Sequence, residues 1–180
     1  MKKIITLIVV LTSFNLFAFD SFSLESTDSD YYEKRTPIAN LEKILNQSEI
    51  DATENGRKIL QTARAMILNQ EIVLGSCWDY IDAAYNNAGF LDSQRLVVFK
   101  SKLQGPYVDD ARIQGGDWLY FMNHSYGDVE HSSIFVAWTN FEKKEAIMIS
   151  YSGGSKAVPA RYKIYDLSSV YNIMRPRLPN

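Results

Sequence analysis

The sequence contains only one cysteine and two histidines, and this scarcity limits the chemistry it can support. A chain whose sole cysteine is Cys77 cannot form an internal disulfide. Zinc sites in proteins use three or four protein ligands, so this set does not favour a Cys–His metal centre. We therefore expect no metal and no cofactor. The cysteine itself is a reactive thiol, a partner in an intermolecular bridge, or a small buried side chain.

Neither positive nor negative charge dominates the composition, and long apolar runs are also scarce. The formal net charge is −2, so nothing attracts the chain to nucleic acid. The one long apolar run, Ile4 to Phe19, follows Lys2-Lys3 and contains the small residue Ala18. This pattern predicts a signal peptide over 1–18, with an uncleaved anchor as the alternative. We expect a periplasmic or extracellular monomer without an integral membrane span.

The region that follows is polar and has no sustained apolar period. Residues 19–55 are rich in acidic, serine and threonine residues, with one short helical pattern at Leu41, Ile44 and Leu45. Such a composition predicts a tether or strap that is dispensable for folding. The remaining residues, 56–180, are long enough for one domain.

Helical patterns in this domain precede strand patterns. Apolar spacing predicts helices over 56–69 and Cys77–Ala88, joined by a long connection over 91–115 to the second half. Five strands are then predicted, at 117–122, 131–138, 146–151, 162–165 and 171–174. Helices followed by antiparallel strands predict an α+β fold.

Cys77 opens the second predicted helix, with Ser76 as a plausible N-cap. Free N–H groups and the positive end of the helix dipole favour a thiolate there. His131 begins a predicted strand, whereas His124 lies in a predicted loop. Because a general base needs a rigid support, we favour His131 as the base. His124 is then a candidate on the substrate side.

A third group is expected to orient the base. If the hairpin turn is centred between Asn140 and Phe141, position 131 pairs with Ser150. Directly opposed residues share a face of the sheet, so Ser150 is the candidate orienting residue. A slip of one residue would place Tyr151 there instead.

Each of these residues also has a structural interpretation. Cys77 could be an inert core thiol and His131 a packed structural histidine. Trp78 is a candidate substrate-binding residue beside the thiol, although tryptophans mostly fill cores. His124 could equally be an ordinary residue of a solvated loop.

The order of these motifs resembles the NlpC-type cysteine peptidases, within the papain-like group. That family has a helix, a Cys-led helix, a Gly-Asp-apolar strand, and a strand opening with His and a small residue before Ile. The matching segments are Arg57 to Leu68, Cys77 to Tyr80, Gly116 to Phe121 and His131 to Val136. The resemblance implies a papain-like (NlpC-type) fold, with the Cys-led helix packed on an antiparallel sheet.

The resemblance also implies an activity, which is thiol-dependent hydrolysis of amide bonds in peptidoglycan peptides or another peptide substrate. The family commonly has Asp-Cys-Ser-Gly at the nucleophile and a third polar His, where this chain has Ser76 to Asp79 and Ser150. Two alternatives stay open. One is deamidation or acyl transfer on the same fold, and the other is a non-catalytic envelope protein that uses the fold for binding.

Overall fold

A computed structural model describes residues 40–177, which belong to one compact unit. The predicted signal peptide and the polar segment up to residue 39 lie outside the described residues. Within them, three helices precede or flank a six-stranded antiparallel sheet. The predicted α+β class is therefore confirmed.

The second and third of the three helices begin after residues whose side chains cap them, Thr53 and Ser76. Helix α1 is Leu41–Asp51, α2 is Glu54–Leu68 and α3 is Cys77–Asn87. The Thr53 side chain accepts a hydrogen bond from Gly56 N at 3.2 Å and so caps α2.

Helix α1 lies before the predicted domain boundary at residue 55, yet it packs on α2 and the sheet. Its Leu45 is buried. Arg64 of α2 donates to Asn46 Oδ1 at 2.8 Å and to Glu49 Oε1 at 3.1 Å. The segment whose polar composition predicts a tether therefore contains a helix, α1, whose polar side chains hydrogen-bond to α2. The folded unit thus begins about 15 residues before the predicted domain start.

The sheet has the spatial order β1-β6-β2-β3-β4-β5, and every neighbouring pair is antiparallel. Five strands correspond to the five predicted ones, with ends shifted by up to two residues. The strands are β1 (Arg95–Lys100), β2 (Trp118–Asn123), β3 (Val129–Asn140), β4 (Glu145–Ser150), β5 (Arg161–Asp166) and β6 (Val170–Pro176).

The sequence interpretation missed strand β1, which lies inside the predicted connection 91–115. Its apolar residues Leu96 and Val97 are 43% and 49% exposed, because β1 is an edge strand paired only with β6. Such a strand lacks the clean alternation of buried and exposed residues that signals a half-buried strand.

Both faces of the sheet are buried. Three consecutive residues of β4, Ile147 to Ile149, are each at most 1% exposed, so neither face is open to solvent there. Helix α3 contacts β3, and its Tyr85 packs against Trp118 with ring centroids 5.6 Å apart. Leu119 belongs to a cluster on the other face that includes Val108 from the long connection. Alternation along β2 thus separates the face that carries α3 from the face that carries this cluster.

Candidate active site

Cys77 is the first residue of α3, and a capping box fixes this start. Asp79 Oδ2 accepts hydrogen bonds from Ser76 N at 2.7 Å and from Ser76 Oγ at 2.8 Å. Ser76 Oγ in turn accepts one from Trp78 N at 3.2 Å. These bonds satisfy free donors of the first turn. In the described part of the chain no recorded hydrogen bond uses the Cys77 N–H, which stays available to a ligand.

The loop before Cys77 is held by the sheet. The Tyr151 hydroxyl accepts from Val73 N at 3.0 Å and donates to Val73 O at 2.7 Å. The Tyr151 ring also stacks on Tyr80 of α3, with centroids 4.6 Å apart. Gly75 has φ +117°, a left-handed backbone that favours glycine, and its carbonyl accepts from Gly154 N at 2.8 Å. The loop that leads to the thiol is therefore held in place by both a backbone hydrogen bond and the Tyr151 side chain.

The partly exposed thiol of Cys77 contacts strand β3 at Ser132. The Ser132 hydroxyl lies 3.6 Å from Sγ, in donor geometry, and Ser132 is only 3% exposed. His131 directly precedes Ser132, and because successive side chains of a strand project to opposite faces, its imidazole lies on the face of β3 away from this contact. The tertiary fold thus brings the N-terminus of α3 to the start of the strand that carries the candidate base.

His131 is half-buried and is oriented through one ring nitrogen. Its Nε2 lies 3.0 Å from Ser150 Oγ and 3.3 Å from the Tyr165 hydroxyl, which are themselves 2.8 Å apart. The ring also packs edge-on against Phe121, with centroids 5.6 Å apart. Phe121 and Tyr165 belong to the cluster on the face of the sheet away from α3, so the imidazole lies on that face.

The environment of His131 disfavours its charged form. Burial is the main cause, and the nearby charges of Lys163 and Arg161 act in the same direction, so that the pKa of His131 falls from 6.5 to about 4. At neutral pH the imidazole is therefore uncharged and can accept a proton.

No hydrogen bond joins Cys77 to His131 in the stretch 40–177. The structure therefore places the thiol and the imidazole on opposite faces of β3, although their residues contact or occupy adjacent positions of that strand.

Ser150 lies beside His131, but not through the predicted register. Strand β3 pairs Ile134 with Ile149, and the hairpin closes at Asn140 and Glu145 after two irregularities. The turn therefore lies two residues beyond its predicted centre. A shift of two residues keeps every side chain on its face, so Ser150 still reaches His131.

Trp78 lies at the surface next to the thiol, where the sequence interpretation places a substrate-binding residue. It is 45% exposed, and its Nε1 donates to the Tyr120 hydroxyl at 3.0 Å. Its ring centroid is 5.5 Å from that of Trp118, which is fully buried. Trp78 therefore forms part of an aromatic wall beside Cys77, with one side open to solvent.

His124 is not brought to Cys77 or His131 by any contact recorded within residues 40–177. Its Nδ1 lies 2.7 Å from Asp128 Oδ1 and its Nε2 lies 2.9 Å from Ser169 Oγ. These bonds tie the turn between β2 and β3 to the turn between β5 and β6. The geometry assigns His124 a loop-fastening role, which the sequence interpretation did not foresee.

Sequence reasoning missed two contacting residues of the site, Ser132 and Tyr165, and considered Tyr151 only as an alternative neighbour of His131 rather than as the residue that holds Val73. Tyr165 reaches His131 from β5, two strands away from β3, and local spacing does not reveal such a contact. Ser132 is the small residue that follows His131 in the motif His131 to Val136, and that position is the sequence signal that could have identified it.

The comparisons supply no relative for this arrangement. No family model matches the sequence, and no match emerges among the curated proteins or the solved structures. None of the helices within 40–177 has the length and apolar character needed to cross a membrane.

Proposed function

We propose that the protein is an exported, papain-like cysteine hydrolase that cleaves amide bonds in cell-wall peptides. One observation carries this proposal. The thiol of Cys77 is partly exposed at the start of α3, contacts the Ser132 hydroxyl, and belongs to a residue whose own N–H is unused within residues 40–177. A thiol in this position has the surroundings expected of a cysteine nucleophile. The proposal assigns the role of base to His131, whose imidazole must turn to the thiol's side of β3 to act.

The proposed reaction begins with the uncharged imidazole. Once it has turned to the thiol's side of β3, His131 takes the thiol proton while Cys77 Sγ attacks the amide carbonyl carbon. The unused N–H of Cys77 stabilises the negative charge that develops on the carbonyl oxygen. The imidazolium then protonates the leaving amine, the C–N bond breaks, and a thioester remains. Water, deprotonated by the same imidazole, hydrolyses the thioester and restores the thiol.

The proposal predicts new amino groups when the purified mature protein is incubated with soluble cell-wall peptide fragments. Replacing Cys77 with Ala should lower the rate at least about 10³-fold, since losing a nucleophile removes the covalent route. His131→Ala should have a comparable effect. Amine release is measured with an amine-reactive fluorophore, and Ser93→Ala, at an exposed serine of the turn before β1, is the matched control. Equal release by Cys77→Ala would contradict the proposal.

A second candidate function is binding without catalysis. It is favoured by the lack of a thiol–imidazole hydrogen bond within the described residues. On this alternative, the protein binds cell-wall peptides without cleaving them, and Cys77→Ala leaves its affinity for these peptides unchanged. Equilibrium binding and amine release, measured on the same peptides, separate the two functions.

A further inference from the structure

A carboxylate lies on the same side of β3 as the thiol. Glu130 precedes Ser132 by two residues, and side chains two apart in a strand project to the same face. Ser132 contacts Cys77 Sγ, so Glu130 lies roughly 7 Å along the strand from that contact. Glu130 is exposed to solvent. The face that holds the nucleophile therefore also holds an accessible negative charge.

Tyr171 of β6 positions this carboxylate by donating its hydroxyl hydrogen to Glu130 Oε1. Strand β6 has an irregularity at this point, because Tyr120 pairs with Asn172 whereas Phe121 pairs with Val170. Tyr171 is the extra residue. An extra residue of this kind redirects a side chain, and here it turns the phenol toward Tyr120 and Glu130.

Aromatic rings line the space between the carboxylate and the thiol. The Tyr171 ring centroid is 6.3 Å from that of Tyr120, which stacks on Trp118 at 5.5 Å. Burial is the main cause that raises the pKa of both phenols, to about 12 for Tyr120, so both stay protonated at neutral pH. Tyr120 pairs with Ser132, whose hydroxyl contacts Cys77 Sγ, so the thiol lies near the Tyr120 ring.

No cation neutralises Glu130 in the part of the chain that the structure describes. The ion pairs there involve other carboxylates, and the only hydrogen bond recorded at the Glu130 side chain is the one from Tyr171 to Oε1. Oε2 is therefore open to a donor. An oriented carboxylate beside aromatic faces attracts an ammonium group through charge and through the ring quadrupoles.

We propose that Glu130, positioned by Tyr171 and flanked by the ring of Tyr120, binds a protonated primary amine of the substrate that Cys77 attacks. The inference rests on the proposed function in treating the bound peptide as a substrate. Binding of the amine itself does not require the thiol. It defines the substrate class as peptides that carry a free amino group near the scissile amide. A purely structural role, in which the pair only ties β3 to β6, predicts no preference for such peptides.

The binding test uses the mature chain with Cys77→Ala, so that hydrolysis cannot interfere. Tri-alanine amide and its N-acetylated form are titrated into the ¹⁵N-labelled protein, and Kd is read from the shifts of backbone amides. We expect the free amine to bind about tenfold more tightly, and Glu130→Gln to abolish this difference. Glu142→Gln, at an exposed glutamate in the β3–β4 turn, should preserve it. Equal affinities for the two peptides, or binding of neither, would overturn the amine site.

The kinetic test distinguishes failure of this site from failure of the hydrolase. With cell-wall peptides, Glu130→Gln should raise KM about tenfold and change kcat little, and N-acetylation of the peptides should mimic the substitution. Tyr171→Phe should give a smaller rise in KM, since it frees the carboxylate without removing it. Hydrolysis that ignores acetylation would refute the amine site and leave the hydrolase intact. Amine-selective binding without hydrolysis would refute the hydrolase and leave the amine site intact.

Discussion

At the scale of single residues, the protonation of His131 links the candidate chemistry to folding. The pKa of His131 is about 4 in the folded chain and about 6.5 when the ring is exposed. Between these values the unfolded chain binds more protons than the folded one. Stability from the neutral ring is therefore complete above about pH 6.5 and is lost as the pH falls toward 4.

This linkage predicts a measurable loss of stability in acid. From pH 7 to 4, the free energy of unfolding should fall by on the order of 2 kcal/mol more in the natural chain than in His131→Gln. The carboxylates titrate in both proteins, so the difference between the two curves isolates the imidazole. Urea unfolding followed by tryptophan fluorescence provides the data. Parallel curves across this range would mean that the folded ring titrates normally.

At the scale of helices and strands, much of the scaffold follows from local pattern. The start of α3 at Cys77 was predictable from its capping residues, and five of the six strands from their apolar runs. Side-chain neighbours across strands were harder, because two irregularities in the β3–β4 ladder displace the register that the turn suggests. The contact of Ser150 with His131 survived since the displacement was an even number of residues. The Tyr171–Glu130 contact depends on an irregularity in β6 that no sequence pattern marks.

A partly buried ion pair joins the residue before β2 to the end of β6. Arg175 donates from Nε to Asp117 Oδ1 at 2.7 Å and from a terminal nitrogen to Oδ2 at 2.8 Å. Asp117 Oδ2 also accepts from Gln114 N at 2.8 Å, which fixes the turn before β2. Asp117, a turn residue in the Gly-Asp motif, thus anchors the strand that faces the site.

Breaking this pair should destabilise the fold strongly. Asp117→Asn leaves the guanidinium of Arg175 without its counter-ion, and we expect a loss of about 3 kcal/mol in the free energy of unfolding. Adding Arg175→Met removes the stranded charge, so the double variant should recover part of the loss. Chemical denaturation of the three proteins provides the values. A loss below about 1 kcal/mol in the single variant would show that the pair is dispensable.

At the scale of the whole molecule, the folded unit extends further toward the N-terminus than composition suggests. Helix α1 contributes the buried Leu45 and the two partners of Arg64 on α2. Arg57 of α2 also donates to Glu49 O at 2.7 Å. These contacts give the polar helix a structural role that its lack of a long apolar face conceals.

Truncation should reveal this boundary. A chain that begins at Asn40 retains α1, whereas one that begins at Thr53 lacks it but keeps the cap of α2. We expect Tm to be on the order of 10 °C lower for the shorter chain, because it loses buried apolar surface and the Arg64 contacts. Differential scanning calorimetry of both chains measures the shift. Equal Tm values would show that α1 is dispensable for folding, as the sequence composition predicts for residues 19–55.

The end of β4 gives two consecutive residues separate tasks. Ser150 contacts the imidazole of His131, and Tyr151 clamps Val73 in the loop that leads to the thiol. A deletion of one residue within β4 would exchange them, setting a phenol against the imidazole and removing the clamp from the loop. A deletion of two residues in the β3–β4 turn would preserve both tasks. Length variation in this hairpin is thus constrained by parity, and homologous chains that keep the site should differ there by even numbers of residues.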